Sequence, residues 1–100
     1  SASQRTLQYQ IDMNMKPYSE IIKMINENKY ENALEKVHTM IYNSTDMKTI
    51  CINLHTTVLE TESDFNYKFK MLRIIGEAEW RSGNMNPKVL ASWMIGQMIK

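Results

Sequence analysis

With one cysteine, two prolines and three glycines among 100 residues, the chain lacks the material of several architectures. A lone Cys51 cannot close an internal disulfide or build a cysteine zinc site, and it fits a reducing, intracellular compartment. Gly76, Gly83 and Gly96 fall in no GxxxxGK[ST] or GxGxxG setting, so the chain holds no phosphate-cradling loop. No apolar run approaches the roughly 18 residues of a membrane span, and no signal-peptide pattern is present. Neither charge dominates. Twelve Lys+Arg against eleven Asp+Glu leave +1, which removes any global field for nucleic acid or anionic membrane; a DNA contact would need a local patch.

What remains is 43% hydrophobic and 23% charged, the balance of a soluble globular chain rather than a disordered one. Its length suits one domain with a single core. There is no Gly/Ser linker, charge run or low-complexity segment. The opening Ser-Ala-Ser, without a starting Met, suggests a piece of a longer protein.

The stretch from Phe65 to Lys100 is the most punctuated. Asp64 is placed to cap a helix in which Phe65, Phe69, Leu72, Ile75 and Ala78 or Glu79 share one face. Gly83 is expected to close that helix with left-handed backbone. Asn86 as N-cap and Pro87 at the first position then start a second helix, with Val89, Leu90, Trp93, Met94, Gln97 and Met98 on a broad apolar side. The result is an αα-hairpin against which the other helices pack.

Upstream, residues 7 to 15 alternate apolar and polar, a strand period; they predict an extended or strand-like arm pairing outside the chain, a homodimer contact, or a leader with accidental patterning. Pro17 opens a first helix with Tyr18, Ile21, Ile22 and Ile25 inward, ended by Asn26-Glu27-Asn28. A short link forces the next helix antiparallel, with Tyr30, Ala33, Leu34, Val37 and Ile41 in step. The turn Asn43-Ser44-Thr45-Asp46 caps a third, where Met47, Ile50, Cys51, Leu54 and Val58 hold one face. Ile52, His55 and Leu59 form a second stripe, which predicts a helix covered on two sides at the centre of the bundle. The fold class expected is all-α: a compact bundle of about five helices over 17–100, preceded by the arm over 1–16.

Chemistry-bearing pairs are few. His38 and His55 lie on different helices and belong to no HExxH cluster. Cys51 and His55 are spaced i, i+4, yet nothing supplies an orienting third group or an oxyanion site, and a cysteine on an apolar stripe is usually a small core residue. Glu77 and Glu79 do not share a helix face and read as solvated rather than as an acid/base pair. The nine methionines fill gaps in a core or adapt a binding surface. Trp80 and Trp93 are core pillars or interface anchors. Lys29 to Lys36 resembles the opening of a tetratricopeptide helix, but no second copy recurs at the period of about 34 residues such solenoids need.

In order, the helix at Tyr18 to Ile25, the helix Tyr30 to Val37, the segment Ile50 to Leu59 with its Leu54-His55 pair, the stretch Ile74-Ile75-Gly76-Glu77-Ala78-Glu79-Trp80-Arg81 before a Gly-Asn hinge, and a closing helix from Asn86 to Met98 resemble the C-terminal collar domain of replication factor C small subunits. These are the subunits of the sliding-clamp loader. The closing helix departs from the family's Ile-Gln-Leu-like segment with Val89-Leu90-Ala91. The resemblance implies a non-catalytic oligomerisation domain that holds AAA+ ATPase subunits in a ring, loading the sliding clamp on primer-template DNA. It implies sister clamp-loader subunits as partners, sliding clamp and DNA reached through the parent protein, no membrane, and a nuclear place in a eukaryote. No cofactor is expected in this domain, ATP and Mg being held upstream in the parent. Subunit contacts are expected at Arg73, Trp80, Trp93, Met94, Gln97 and Met98, and the isolated chain could form a homo-oligomer.

Two other readings follow from the residues. Asn86 to Trp93 also looks like the Pro-Lys-x-x-x-x-Trp run in the helical tail of the B subunit of tRNA-dependent amidotransferases, which would imply an RNA-facing basic surface. An independent adaptor bundle would instead take a partner's helix in a Met-rich groove.

Overall fold

The computed structural model describes residues 15–100, and within them it is all-α, with five helices and no strand. Helix α1 spans 15–26, α2 Tyr30–Tyr42, α3 Met47–Thr61, α4 Phe65–Arg81 and α5 Pro87–Met98. The chain is already helical at Met15 and Lys16, so the boundary expected after residue 16 falls earlier. The reason is packing: Met15 lies three residues before Tyr18 and seven before Ile22, on the same face, and packs against the core they join. The rest of the alternating arm, residues 7–14, lies outside the described residues.

The first two helices end alike. Asn28 adopts φ 63° while the Lys29 N–H donates to the Met24 carbonyl at 2.8 Å. Ser44 adopts φ 75° while the Thr45 N–H donates to the Met40 carbonyl at 2.9 Å. Both are left-handed residues closing a helix through a bond back across its last turn. The tight turn at Asn28 sets α1 and α2 antiparallel, bridged by Lys36 Nζ and Glu20 Oε2 at 2.8 Å. That contact holds the Glu20 carboxyl below the usual carboxylate range.

Asp64 accepts from the Tyr67 N–H at 3.0 Å and starts α4 as expected. Asn86 Oδ1 accepts from the N–H groups of Lys88 (2.9 Å) and Val89 (3.3 Å), with Pro87 at the first position of α5. Removing that cap in Asn86→Ala is expected to cost about 1 kcal/mol, measured by urea unfolding. Asp46 takes extended backbone before α3, but its side chain makes no capping bond. Gly83 differs from expectation, since no glycine has positive φ among the described residues. The turn after α4 is held instead by the Arg81 carbonyl, which accepts from the Asn84 and Met85 N–H groups at 3.0 and 3.1 Å.

Helix α3 packs on α4, α4 on α5, and α5 on α2. The hairpin of α4 and α5 is therefore the middle of that row, as its punctuation suggested. Helix α3 packs on α4 and is tied to the end of α1 through Glu62 and Asn26, yet its second stripe of Ile52, His55 and Leu59 stays exposed where coverage was expected. The core is built from Ile21 and Ile25 of α1, Val37 of α2, Ile50 and Leu54 of α3, Met71 and Ile75 of α4, and Leu90, Met94 and Met98 of α5. The eight described methionines are buried (Met47, Met71, Met94, Met98) or packed against the core (Met15, Met24, Met40, Met85). They fill gaps, and among the described residues there is no exposed methionine groove. No described helix is long and apolar enough to cross a membrane.

One end of the bundle is tied by side chains. The Tyr67 hydroxyl donates to Asn26 Oδ1 at 2.6 Å, and Asn26 Nδ2 donates to Glu62 Oε1 at 2.6 Å, joining α1, the α3 terminus and α4. The Tyr30 hydroxyl donates to Asn28 Oδ1 at 2.9 Å and accepts from the Lys100 N–H at 3.3 Å.

Candidate functional site

Helix α4 carries two apolar stripes at helical spacing, and only one enters the core. Met71, Ile74, Ile75 and Ala78 are buried, with Tyr67 half-buried beside them. The other stripe, Phe65, Phe69, Leu72, Gly76 and Trp80, advances by four, three, four and four residues and so shares one side of the helix, though Leu72, as expected, is half-buried and packs against the core. The expected inward face of α4 mixed these two: Ile75 and Ala78 belong to the core stripe, Phe65 and Phe69 to the outer one. Trp80 is 77% exposed, Phe65 70% and Phe69 51%. The rings of Phe65 and Phe69 lean together, with centroids 4.8 Å apart.

The uncovered stripe of α3 lies alongside. Lys48 Nζ sits 3.7 Å from Glu79 Oε1, which sets α3 antiparallel to α4 and brings Ile52 level with Gly76 and Leu59 level with Phe69. Ile52 is 50% and Leu59 45% exposed, where coverage was expected. Between the helices runs a groove holding a cavity of about 260 Å³, lined by Cys51, Ile52, His55, Thr56, Ile75, Gly76 and Glu79. A Cβ added at Gly76 would meet nothing within 4 Å, so the glycine leaves a hollow in the outer face of α4.

The six residues expected at a contact separate. Arg73 and Trp80 lie on the outer side of α4. Gln97 is exposed on α5, away from the α5 core face. Trp93 is half-buried, with the Arg81 guanidinium 5.5 Å over its ring. Arg81 also reaches Glu77 Oε1 at 2.8 Å, so this cation joins α4 to α5 rather than to a neighbour. Met94 and Met98 are fully buried and cannot meet a partner; the apolar side of α5 turns them inward and leaves Val89 exposed instead. Sequence reasoning missed Phe65, Phe69, Ile52, Leu59 and Gly76 as surface. The available signal was that α3 and α4, consecutive and antiparallel, each carried one apolar stripe more than a single core can cover.

The groove's titratable groups do not assemble a nucleophile. Burial, followed by the nearby Glu79 and Asp46 charges, pushes the Cys51 thiol up from 9.0 to about 12. Cys51 is wholly buried and His55 exposed, so the i, i+4 pair provides no thiolate at neutral pH. Burial, with Glu62 and Tyr30 behind it, likewise pushes Tyr67 from 10.0 to about 12. Both groups favour their protonated forms in the folded state. Their stabilisation is complete below the unfolded values near 9 and 10 and is lost as pH rises through about 12. The expected outcome is stability unchanged by these two groups from pH 7 to 8.5 and falling from pH 9.5 to 11.5 in denaturant titrations. Maleimide labelling of Cys51 at pH 8 is expected to proceed only as the protein opens.

A second hollow of about 440 Å³ lies between α2 and the start of α5, lined by Glu31, Leu34, Glu35, His38, Thr39, Tyr42 and Lys88. His38 Nε2 donates there to the Lys88 carbonyl at 3.3 Å, a contact joining two helices. The described residues contain no cluster of three or more His, Cys, Asp or Glu able to hold a metal ion.

Among the described residues, what the geometry defines as a class is a helical bundle with an exposed apolar face on α3 and α4. No family model, curated protein or solved structure matches the chain.

Proposed function

We propose that the chain is a non-catalytic assembly domain whose outer α3/α4 face contacts a neighbouring protein subunit. The observation that carries this is the contiguous exposure of Ile52, Leu59, Phe65, Phe69 and Trp80 on two adjacent helices. Soluble domains rarely leave aromatic and aliphatic side chains gathered this way unless another surface covers them. Aromatic anchors in a patch flanked by charges are the usual composition of a protein contact. The near-neutral charge of +1 favours a protein neighbour over a nucleic acid.

Within that class, the order and length of helices support a collar of the clamp-loader kind. There the domain would hold AAA+ ATPase subunits of its own parent and its sister chains in a ring around the loading of a sliding clamp on primer-template DNA. ATP and Mg would be bound by the ATPase modules, not by this bundle. Isolation of the native protein from its source with an antibody to this domain, followed by mass spectrometry, tests the collar. The expected result is a longer polypeptide with a GxxxxGK[ST] peptide, accompanied by related ATPase subunits. Companions without such a peptide would reject the collar.

A further inference from the structure

We propose that the outer face of α4 binds a second copy of this chain, the two α4 helices lying antiparallel about a two-fold axis that passes between Leu72 and Arg73. This rests on the reading of the α3/α4 face as a protein contact and commits it to one partner.

Self-complementarity of α4 is the argument. In this register each residue faces the one whose number completes the same sum, so Phe69 of one copy faces Gly76 of the other and Phe65 faces Trp80. The hollow at Gly76, open for 4 Å around a would-be Cβ, receives the Phe69 ring. A knob and its hole thus lie seven residues apart on one stripe, which a two-fold axis brings together twice.

The charges agree. Glu79 lies on the flank of α4 nearer α3, since it reaches Lys48. Lys68 falls on that same flank at 100° per residue, while Lys70 and Glu77 fall on the opposite one. A two-fold axis between antiparallel helices keeps like flanks together and reverses their direction. Lys68 then lies about 3 Å along the axis from Glu79 of the second copy, and Lys70 the same from its Glu77, offsets that these long side chains span. Arg73 sits beside the axis next to Arg73 of the second copy, the one like-charge pair of this register, each one turn from Glu77 of its own helix. The basic half of α4 meets the acidic half of its copy on both flanks, and no other surface of the molecule has to be complementary.

The three exposed rings offer roughly 400 Å², about half of the roughly 800 Å² per partner in a standard interface, and Ile52 and Leu59 extend the patch along α3. Two α3/α4 hairpins packed this way form a four-helix layer.

Sedimentation equilibrium of the chain and of charge-reversed variants tests the pairing. The chain itself is expected to form a dimer in the micromolar range. Lys68→Glu/Lys70→Glu and Glu77→Lys/Glu79→Lys are each expected to dissociate at least about 30-fold more readily alone, and to recover when mixed one to one. Gly76→Leu fills the hollow and is expected to be monomeric with its helix content intact by circular dichroism. A dimer indifferent to both the charges and Gly76→Leu would place the contact elsewhere and overturn the inference. Failure of the mixture to recover would overturn the register. A chain monomeric at every concentration also overturns it, and Trp80 emission in a Trp93→Phe background then decides the reading beneath. Emission of a solvent-exposed ring leaves the face for a different subunit, whereas emission of a shielded ring means that this chain covers its own face and the assembly reading falls as well.

Discussion

Truncating Met94 or Met98 to alanine is expected to lower the unfolding free energy by about 3 kcal/mol each, within the range for large-to-small changes in a closed core. Both side chains are fully buried on the inward face of α5, where α5 meets α4 and α2. Against a total of roughly 5–15 kcal/mol for a small domain, that is a major fraction, equivalent to a fall in Tm of roughly 15 °C. Gln97→Ala, between them in sequence but exposed, is expected to stay within about 0.5 kcal/mol. Thermal and urea unfolding of the three variants checks the assignment. Equal small effects would mean that Met94 and Met98 face outward. The two methionines lie four residues apart on one helix face, so the double variant should not be the sum of the singles.

The second large effect falls on association and spares stability. Phe69→Lys and Trp80→Lys place a charge in the centre and at one end of the bare face, on side chains already half or more exposed. Unfolding is expected to change by less than about 0.5 kcal/mol. Binding of the neighbouring subunit is expected to weaken by at least about 30-fold, since buried aromatic anchors dominate contact energies. Tyr42→Lys is the matched control: it is 83% exposed on α2, remote from the α3/α4 face, and should leave association unchanged. Binding measured by calorimetry with the native partner separates the three.

The helices and their caps were legible because their signals are local. Asn86-Pro87 specifies the start of α5 by two backbone facts, a side chain able to accept from the second and third N–H groups and a proline that needs no donor. Ala33 and Val37 leave α2 one possible inward face, and the structure uses it. Periodicity could not decide α4, because Phe65-Phe69-Leu72 (four, then three) and Met71-Ile74-Ala78 (three, then four) are equally good helical stripes. Which stripe faces the core depends on where α3 and α5 sit, and that is set by contacts distant in sequence. The phenylalanines weighed more heavily in the pattern, yet the interior went to the slimmer Met, Ile and Ala side chains, which let α3 and α5 approach.

The same ambiguity scattered the expected contact residues. On α5, Trp93, Met94, Gln97 and Met98 are consecutive turns of one apolar run, and apolarity alone cannot say that Met94 and Met98 turn inward while Gln97 stays in water. Trp93 is held by Arg81, a contact fixed only once the α4–α5 turn is formed. Gly83 was expected to provide left-handed backbone, but a bend fixed by the Arg81 carbonyl made that conformation unnecessary. Arg73 and Trp80 are exposed on the outer side of α4, a placement that, as for Phe65 and Phe69, depends on where α3 and α5 pack.

The central claim is that the outer α3/α4 face is a protein contact, and hydroxyl-radical footprinting of the native assembly against the isolated monomer tests it most directly. Protection of Phe65, Phe69 and Trp80 in the assembly, with Tyr42 equally reactive in both, is the predicted result. Equal labelling of Phe65, Phe69 and Trp80 in the two states would contradict the account.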